Sequence, residues 1–162
     1  MPFMYAATSQ QNTNAAANTD TLLADLKTAS ANAGLRVYIQ KLQIGSYVTP
    51  ADNALRIRLQ RLATVGTYAS GTALTPAPLV PDAPAAASLS SPLPTLGTGT
   101  FVAVPLVQLA FNQRGTGLWA AFTADEAVGI SGSNAAVNGI AVLNSQSTGT
   151  SVPVNYKIIF SE

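Results

Sequence analysis

The chain has no cysteine and no histidine among its 162 residues. Without cysteine there are neither disulfides nor thiolate metal sites, and the redox compartment is left open. Without histidine, metal binding loses its commonest ligand and proton transfer its commonest carrier. Charge is scarce too: Asp, Glu, Lys and Arg make up 9% of the sequence, with a net charge of +1, against about 25% in an ordinary soluble domain. Copies of such a chain repel one another weakly, so much of the exterior is expected to be covered by other protein chains. No uninterrupted run of 18 apolar residues occurs, which leaves no transmembrane-helix candidate. The opening MPFMYAATSQQNTN has no basic segment leading into an apolar one and does not read as a secretory signal. These absences predict a soluble protein made in a cytoplasm, with no membrane partner and no cofactor.

What acidic and small residues there are do not assemble into a recognisable catalytic pattern. Asp125 and Glu126 are sequence neighbours, and neighbours in an extended segment point to opposite faces, unlike an acid and base flanking a substrate. Turn or cap chemistry is the expectation there. Asp20, Asp25, Asp52 and Asp82 stand singly in turn-like contexts, whereas a hard-metal site needs three or more converging oxygens. Serines are plentiful, but with no histidine and no G-x-S-x-G elbow there is no ordinary triad. Gly115, Gly117 and Gly129 lack the spacing and following lysine of a phosphate loop. No catalytic and no metal residues are assigned, and the chain is expected not to be an enzyme.

What the chain does contain is strand periodicity. In ALRIRLQRL, Leu55, Ile57 and Leu59 alternate with Arg56, Arg58 and Gln60, the period of a strand with one buried face. In GLRVYIQKLQIGSYV, Leu35, Val37 and Ile39 share a face, and then the apolar series resumes one residue late at Leu42 and Ile44, which predicts a bulge or sheet switch near Gln40 and Lys41. The short turn between these two segments makes them expected antiparallel neighbours. At the end of the chain Val152, Val154, Tyr156, Ile158 and Phe160 are expected inward, with Asn155, Lys157 and an apolar Ile159 outward.

Other stretches are less decided. TLLADLKTA, residues 21–29, fits either a short helix capped by Asp20 or a strand, with its length favouring the strand. Phe3 to Thr8 reads as a strand or arm that ends in the polar tract QQNTNAAANT. Thr100 to Asn112 reads as one strand apolar on both faces and hence buried on both, with Pro105 marking an edge or bulge. Residues 74–100 hold six of the ten prolines and are expected to form a long surface loop. Together these predict an all-β chain: an antiparallel two-sheet sandwich of jelly-roll type, since the cysteine and tryptophan spacing of immunoglobulin domains is missing. Residues 1–33 form an N-terminal arm or first strands, and 34–162 a single β-sandwich domain.

Five of the eight basic residues, Arg36, Lys41, Arg56, Arg58 and Arg61, fall in the two strands expected to be neighbours, and Arg36, Arg56 and Arg58 would form a small basic stripe. Nucleic-acid readers add aromatic platforms and strong net basicity. Here only Tyr38 is close and net charge is +1, so a solvated face or an acidic protein partner is expected instead, and no nucleic acid.

The segments LRIRLQRLATVGT, Thr75-Pro76-Ala77-Pro78-Leu79, FNQRGTGLWAAF and VNYKIIFSE resemble capsid decoration, or cement, proteins of tailed bacteriophages, over residues 35–84 and 100–162. The resemblance implies a β-sandwich on the outer capsid surface of the virion, assembled in the host cytoplasm, commonly a homotrimer, that binds the major capsid protein and stabilises contacts between its subunits. Arg36, Arg56, Arg58, Pro76, Pro78 and Ile159 are the residues expected to meet partners. The alternative is a carbohydrate-binding or host-adhesion jelly-roll module using Trp119 and exposed tyrosines as stacking platforms.

Overall fold

The computed structural model describes residues 2–13, 16–28, 35–47, 51–64, 74–91, 100–131, 139–147 and 149–162. In chain order the strands are β1 (Met4–Asn12), β2 (Thr21–Thr28), β3 (Arg36–Ser46), β4 (Ala54–Thr64), β5 (Ala77–Pro78), β6 (Ser88–Ser91), β7 (Thr100–Phe101), β8 (Val107–Asn112), β9 (Thr116–Ala120), β10 (Val128–Ser131), β11 (Ile140–Gln146) and β12 (Pro153–Ser161). The only helical element among the described residues is a 3-10 turn at Ala124–Glu126.

All pairings are antiparallel and fall into two sheets. The first has the order β5-β1-β12-β3-β10, with β9 also beside β3; the second has β6-β2-β11-β4-β7, with β8 also beside β4. The long strands β1 to β4 alternate between the sheets. β11 then inserts between β2 and β4, and β12 between β1 and β3. This interleaving of late strands between early ones is the double Greek key of a jelly roll.

The core between the sheets follows from period-2 alternation. Val37, Ile39, Leu42, Ile44, Val154, Ile158 and Phe160 face Leu26, Leu55, Ile57, Leu59, Ile140 and Val142, all essentially inaccessible. Each such side chain contributes about 1.5–3 kcal/mol on burial. Tyr5 stacks on Phe160 with ring centroids 5.6 Å apart. The anticipated phase slip is a bulge in which Ile159 opposes Lys41 and Phe160 opposes Ile39, leaving Gln40 as the extra residue.

β2 is a strand because both of its faces are buried. Leu23, Ala24 and Leu26 join the main core, while Leu22 joins a second cluster with Leu62, Ala141 and Leu143, against which Phe101 packs. A single helical stripe could not serve two clusters on opposite sides of a sheet.

Three expectations are corrected. β3 and β4 are not sheet neighbours: they lie in different sheets, and their apolar faces meet through the core rather than side by side. Turn residues mark a reversal without saying whether the next strand stays in the plane. Thr100 to Asn112 is two strands, interrupted by a segment around Pro105 in which Val102, Val104 and Leu106 are exposed. β1 runs on through Gln10, Gln11 and Asn12 into what reads as loop, because Val154 and Pro153 supply its ladder partners.

The proline-rich segment crosses from one sheet to the other. β5 pairs with β1 at the edge of the first sheet and β6 with β2 at the edge of the second. On the way the Pro84 carbonyl accepts the Tyr5 hydroxyl at 3.1 Å, and the Glu162 carboxylate accepts the Ala87 N–H at 2.5 Å and the Ser88 hydroxyl at 2.7 Å. Proline on the outermost strand removes backbone donors where another chain would otherwise pair.

Candidate functional site

The acidic side chains are dispersed among structural tasks. Asp20 pairs with Arg58, and Asp52 with Arg114 at 2.8 Å. Glu126 accepts the Phe122 N–H at 2.8 Å and braces the 3-10 turn, which is turn chemistry as expected. Among the described residues no three of His, Cys, Asp and Glu lie close enough to hold a metal ion. The Tyr5 hydroxyl has its pKa raised, first by burial and then by the charge of Glu162. Its hydrogen bond to Pro84 gives it a structural role in holding the crossing segment.

The basic stripe is divided. Arg56 and Arg58 lie on the outward face of the second sheet, opposite Ser145 and Leu143 of β11. Arg36 lies on β3 in the first sheet, opposite Ser131. Arg56 is exposed, its Nε donating to the Ser145 hydroxyl at 3.1 Å. The Arg58 side chain is only 16% exposed and is engaged by Asp20, so it offers a partner little surface. Pro76 is buried and Pro78 exposed at the sheet edge. Ile159 faces outward, half-buried between Ala6 and Lys41.

Trp119 sits opposite Leu42 and packs, half-buried, against the main core. It is not an exposed platform. Tyr38 and Tyr47 are exposed near opposite ends of β3, too far apart along the strand to stack one small ring between them.

The surface feature missed in the sequence is a set of exposed apolar side chains at one end of the first sheet. Leu79 hydrogen-bonds to Met4, Phe3 to Glu162, Tyr38 opposes Ser161, and Ala121 hydrogen-bonds to Gln40. These pairings bring Leu79, Val80, Phe3, Tyr38 and Phe122 to the same end of the first sheet, spread over about 19 Å at the usual strand spacing, with the polar Ser161 and Glu162 of β12 and the C-terminus between Phe3 and Tyr38. All five are exposed, Phe122 at 92%. In the sequence the segment LWAAF is apolar throughout and gives no sign that the strand ends at Ala120 and that Phe122 belongs to the turn beyond.

No family model matches this chain and no curated protein matches it. Among solved structures, the 60-mer of BFDV capsid protein overlaps at 10% identity with a TM-score of 0.31, covering 99% of this chain and 91% of that one. The decameric BFDV capsid protein overlaps at 10% identity with a TM-score of 0.32, covering 100% and 98%. Likeness of this degree bears on neither the function nor the assembly of this chain.

Proposed function

We propose that this chain is a non-enzymatic structural protein of a bacteriophage virion, a cement protein that binds the outer capsid surface as a homo-oligomer and stabilises contacts between major capsid subunits. The observation that carries the reading is the exposure of Phe3, Tyr38, Leu79, Val80 and Phe122 at one end of the first sheet on a sandwich with only 9% charged residues. Exposed apolar clusters on an otherwise polar domain mark contact with other protein, and the scarcity of charge suits a surface that spends its working life covered. The sequence resemblance over residues 35–84 and 100–162 supports the choice of shell and partner, and is the ground for a trimer.

Attachment would be additive. Each copy removes apolar surface from water at about 25 cal/mol per Å² before association costs, and many copies on one shell multiply a small gain. The adhesin reading has no observation in its favour, since Trp119 faces the core.

The test is to add purified protein to undecorated shells and measure co-sedimentation and the temperature at which the shells disrupt. Saturable binding with a raised disruption temperature is expected. Protein that stays in the supernatant at every concentration and leaves that temperature unchanged would refute the reading.

A further inference from the structure

From Ala77 to Ala87 every residue is exposed or half-buried, and the first buried residues on either side are Pro76 and Ser88. Hydrogen bonds hold this segment in place. At its start Pro78 and Ala77 pair with Tyr5 and Ala6 of β1, and the Leu79 N–H donates to the Met4 carbonyl at 2.8 Å. In the middle the Tyr5 hydroxyl donates to the Pro84 carbonyl at 3.1 Å. At its end the Ala87 N–H donates to the Glu162 carboxylate at 2.5 Å. Glu162 is itself fixed, because its backbone exchanges hydrogen bonds of 3.0 and 3.1 Å with Phe3. Pro78, Pro81 and Pro84 lock φ along the segment, so it has little freedom to fray residue by residue.

We infer that residues 77–87 form a strap that lifts as one unit from the edge of the first sheet, hinged at Pro76 and Ser88, while both sheets stay folded, and that Glu162 is its catch. The cost of a local opening is set by the apolar surface uncovered and the hydrogen bonds broken. The strap buries little: Ala86 alone packs at the margin of the main core. The strands beneath it hold Tyr5, Ile158 and Phe160 inaccessible in that core. Lifting the strap thus breaks a few hydrogen bonds that water replaces, whereas separating the sheets exposes the whole interior. Once lifted, it uncovers the Tyr5 hydroxyl and the outer backbone of Met4, Tyr5 and Ala6. β1 is then an open edge at that end, the kind of edge to which another chain adds a strand. This device belongs to the fold and is independent of the capsid reading.

The experiment is native-state hydrogen exchange on the full chain, read amide by amide by NMR. In wild type the Leu79 and Ala87 amides are expected to share one protection factor, at least about 100-fold below those of Ile39 and Ile158, and to respond little to low urea because their opening exposes little surface. Glu162→Ala removes the catch. It is expected to lower the protection of Leu79 and Ala87 by the same factor, about tenfold or more for a lost charge-assisted hydrogen bond, although Leu79 makes no bond to Glu162. Ile39 and Ile158 are expected to keep their protection. Tyr5→Phe, which acts at the middle of the strap, is expected to lower the same two amides together. Glu162→Ala that frees Ala87 and leaves Leu79 unchanged would overturn the inference, since the contacts would then be independent. Wild-type Leu79 and Ala87 that differ from each other, or that exchange as slowly as Ile39 and Ile158, would overturn it equally, and this comparison requires no substitution.

Discussion

The two outward faces of the sandwich are built on equivalent rows and end in opposite environments. Across the first sheet one row runs Thr8, Lys157, Gln43 and Leu118, every member exposed or half-exposed. Across the second sheet the matching row runs Leu22, Leu143, Arg58 and Gln108, the first two inaccessible, the third nearly so and the fourth, on β8, exposed. Around Leu22, Leu143 and Leu62 the second face is covered from within the chain. Asp20 pairs with Arg58, Phe101 packs on the small apolar cluster, and the Val102 carbonyl accepts the Gln60 side chain. The alternating period is the same on both outward faces, and contacts from distant segments of the chain decide which part of each is buried.

The largest expected effect separates the faces directly. Leu143→Ala on the covered face is expected to lower unfolding free energy by about 2–5 kcal/mol, the range for a buried leucine that leaves a cavity. Gln43→Ala, in the matching row of the bare face, is expected to stay within about 0.5 kcal/mol. Urea unfolding monitored by the single tryptophan measures both. Equal small losses would mean that the second face is not a packed layer.

Next in size is the ion pair that closes the covered face. Arg58→Ser leaves the Asp20 carboxylate, 31% exposed, without its cation, and a loss of about 1–3 kcal/mol is expected, as for a partly buried charged group deprived of its partner. The double change Asp20→Ser with Arg58→Ser is expected to recover part of that loss, which a double-mutant cycle reads as coupling. A strictly additive cycle would make the pair an ordinary surface contact.

Much of the sandwich was legible because one buried face imposes period 2: the alternation in β12, the strand β4 and the bulge at Gln40 all stand in the sequence. Pairing was not legible. β3 and β4 have the same one-faced pattern whether they lie side by side or face each other across the core. The covered face had a signal in β11, where Ala141 and Leu143 are apolar in antiphase to Ile140 and Val142, since a strand apolar on both sides needs a layer on both. Which segment provides that layer depends on long-range contacts that no local pattern encodes. The division of the basic stripe and the exposure of Phe122 were hidden for the same reason: arginine on an alternating strand looks solvated, and phenylalanine in an apolar run looks buried.

A third test addresses the edge where the two sheets are strapped together. The Tyr5 hydroxyl has its pKa raised by burial and by Glu162, so the folded state holds the phenolic proton after the unfolded chain has lost it. Above about pH 10, the ordinary tyrosine value, the unfolded state therefore binds fewer protons than the folded one, and stability falls as pH rises through the folded pKa. Tyr5→Phe is expected to cost about 0.5–1.5 kcal/mol near neutrality through the lost bond to Pro84. It is also expected to lose this site's share of the alkaline slope, seen in unfolding midpoints between pH 8 and 11. An identical slope in both proteins would place the alkaline sensitivity elsewhere.

The smallest expected effect on stability belongs to Arg56, and it carries the most information about partners. Arg56 shares its sheet face with Arg58 but is exposed, donating one hydrogen bond to Ser145. Exposed charges of this kind contribute about 0–1 kcal/mol, so Arg56→Ser is expected to unfold with nearly the wild-type midpoint. Two residues away the same substitution is expected to be costly, because Arg58 is engaged by its own chain. Arg56 is the arginine of the pair with surface to spare, and if the capsid presents acid to this face, Arg56→Ser is expected to weaken shell binding and to flatten its dependence on salt. Co-sedimentation at low and at high ionic strength measures both. Wild-type binding by Arg56→Ser at each ionic strength would take the second sheet's arginine pair out of attachment, with Arg36, Ile159, exposed Pro78 and the outward face of the first sheet as the surface to probe next.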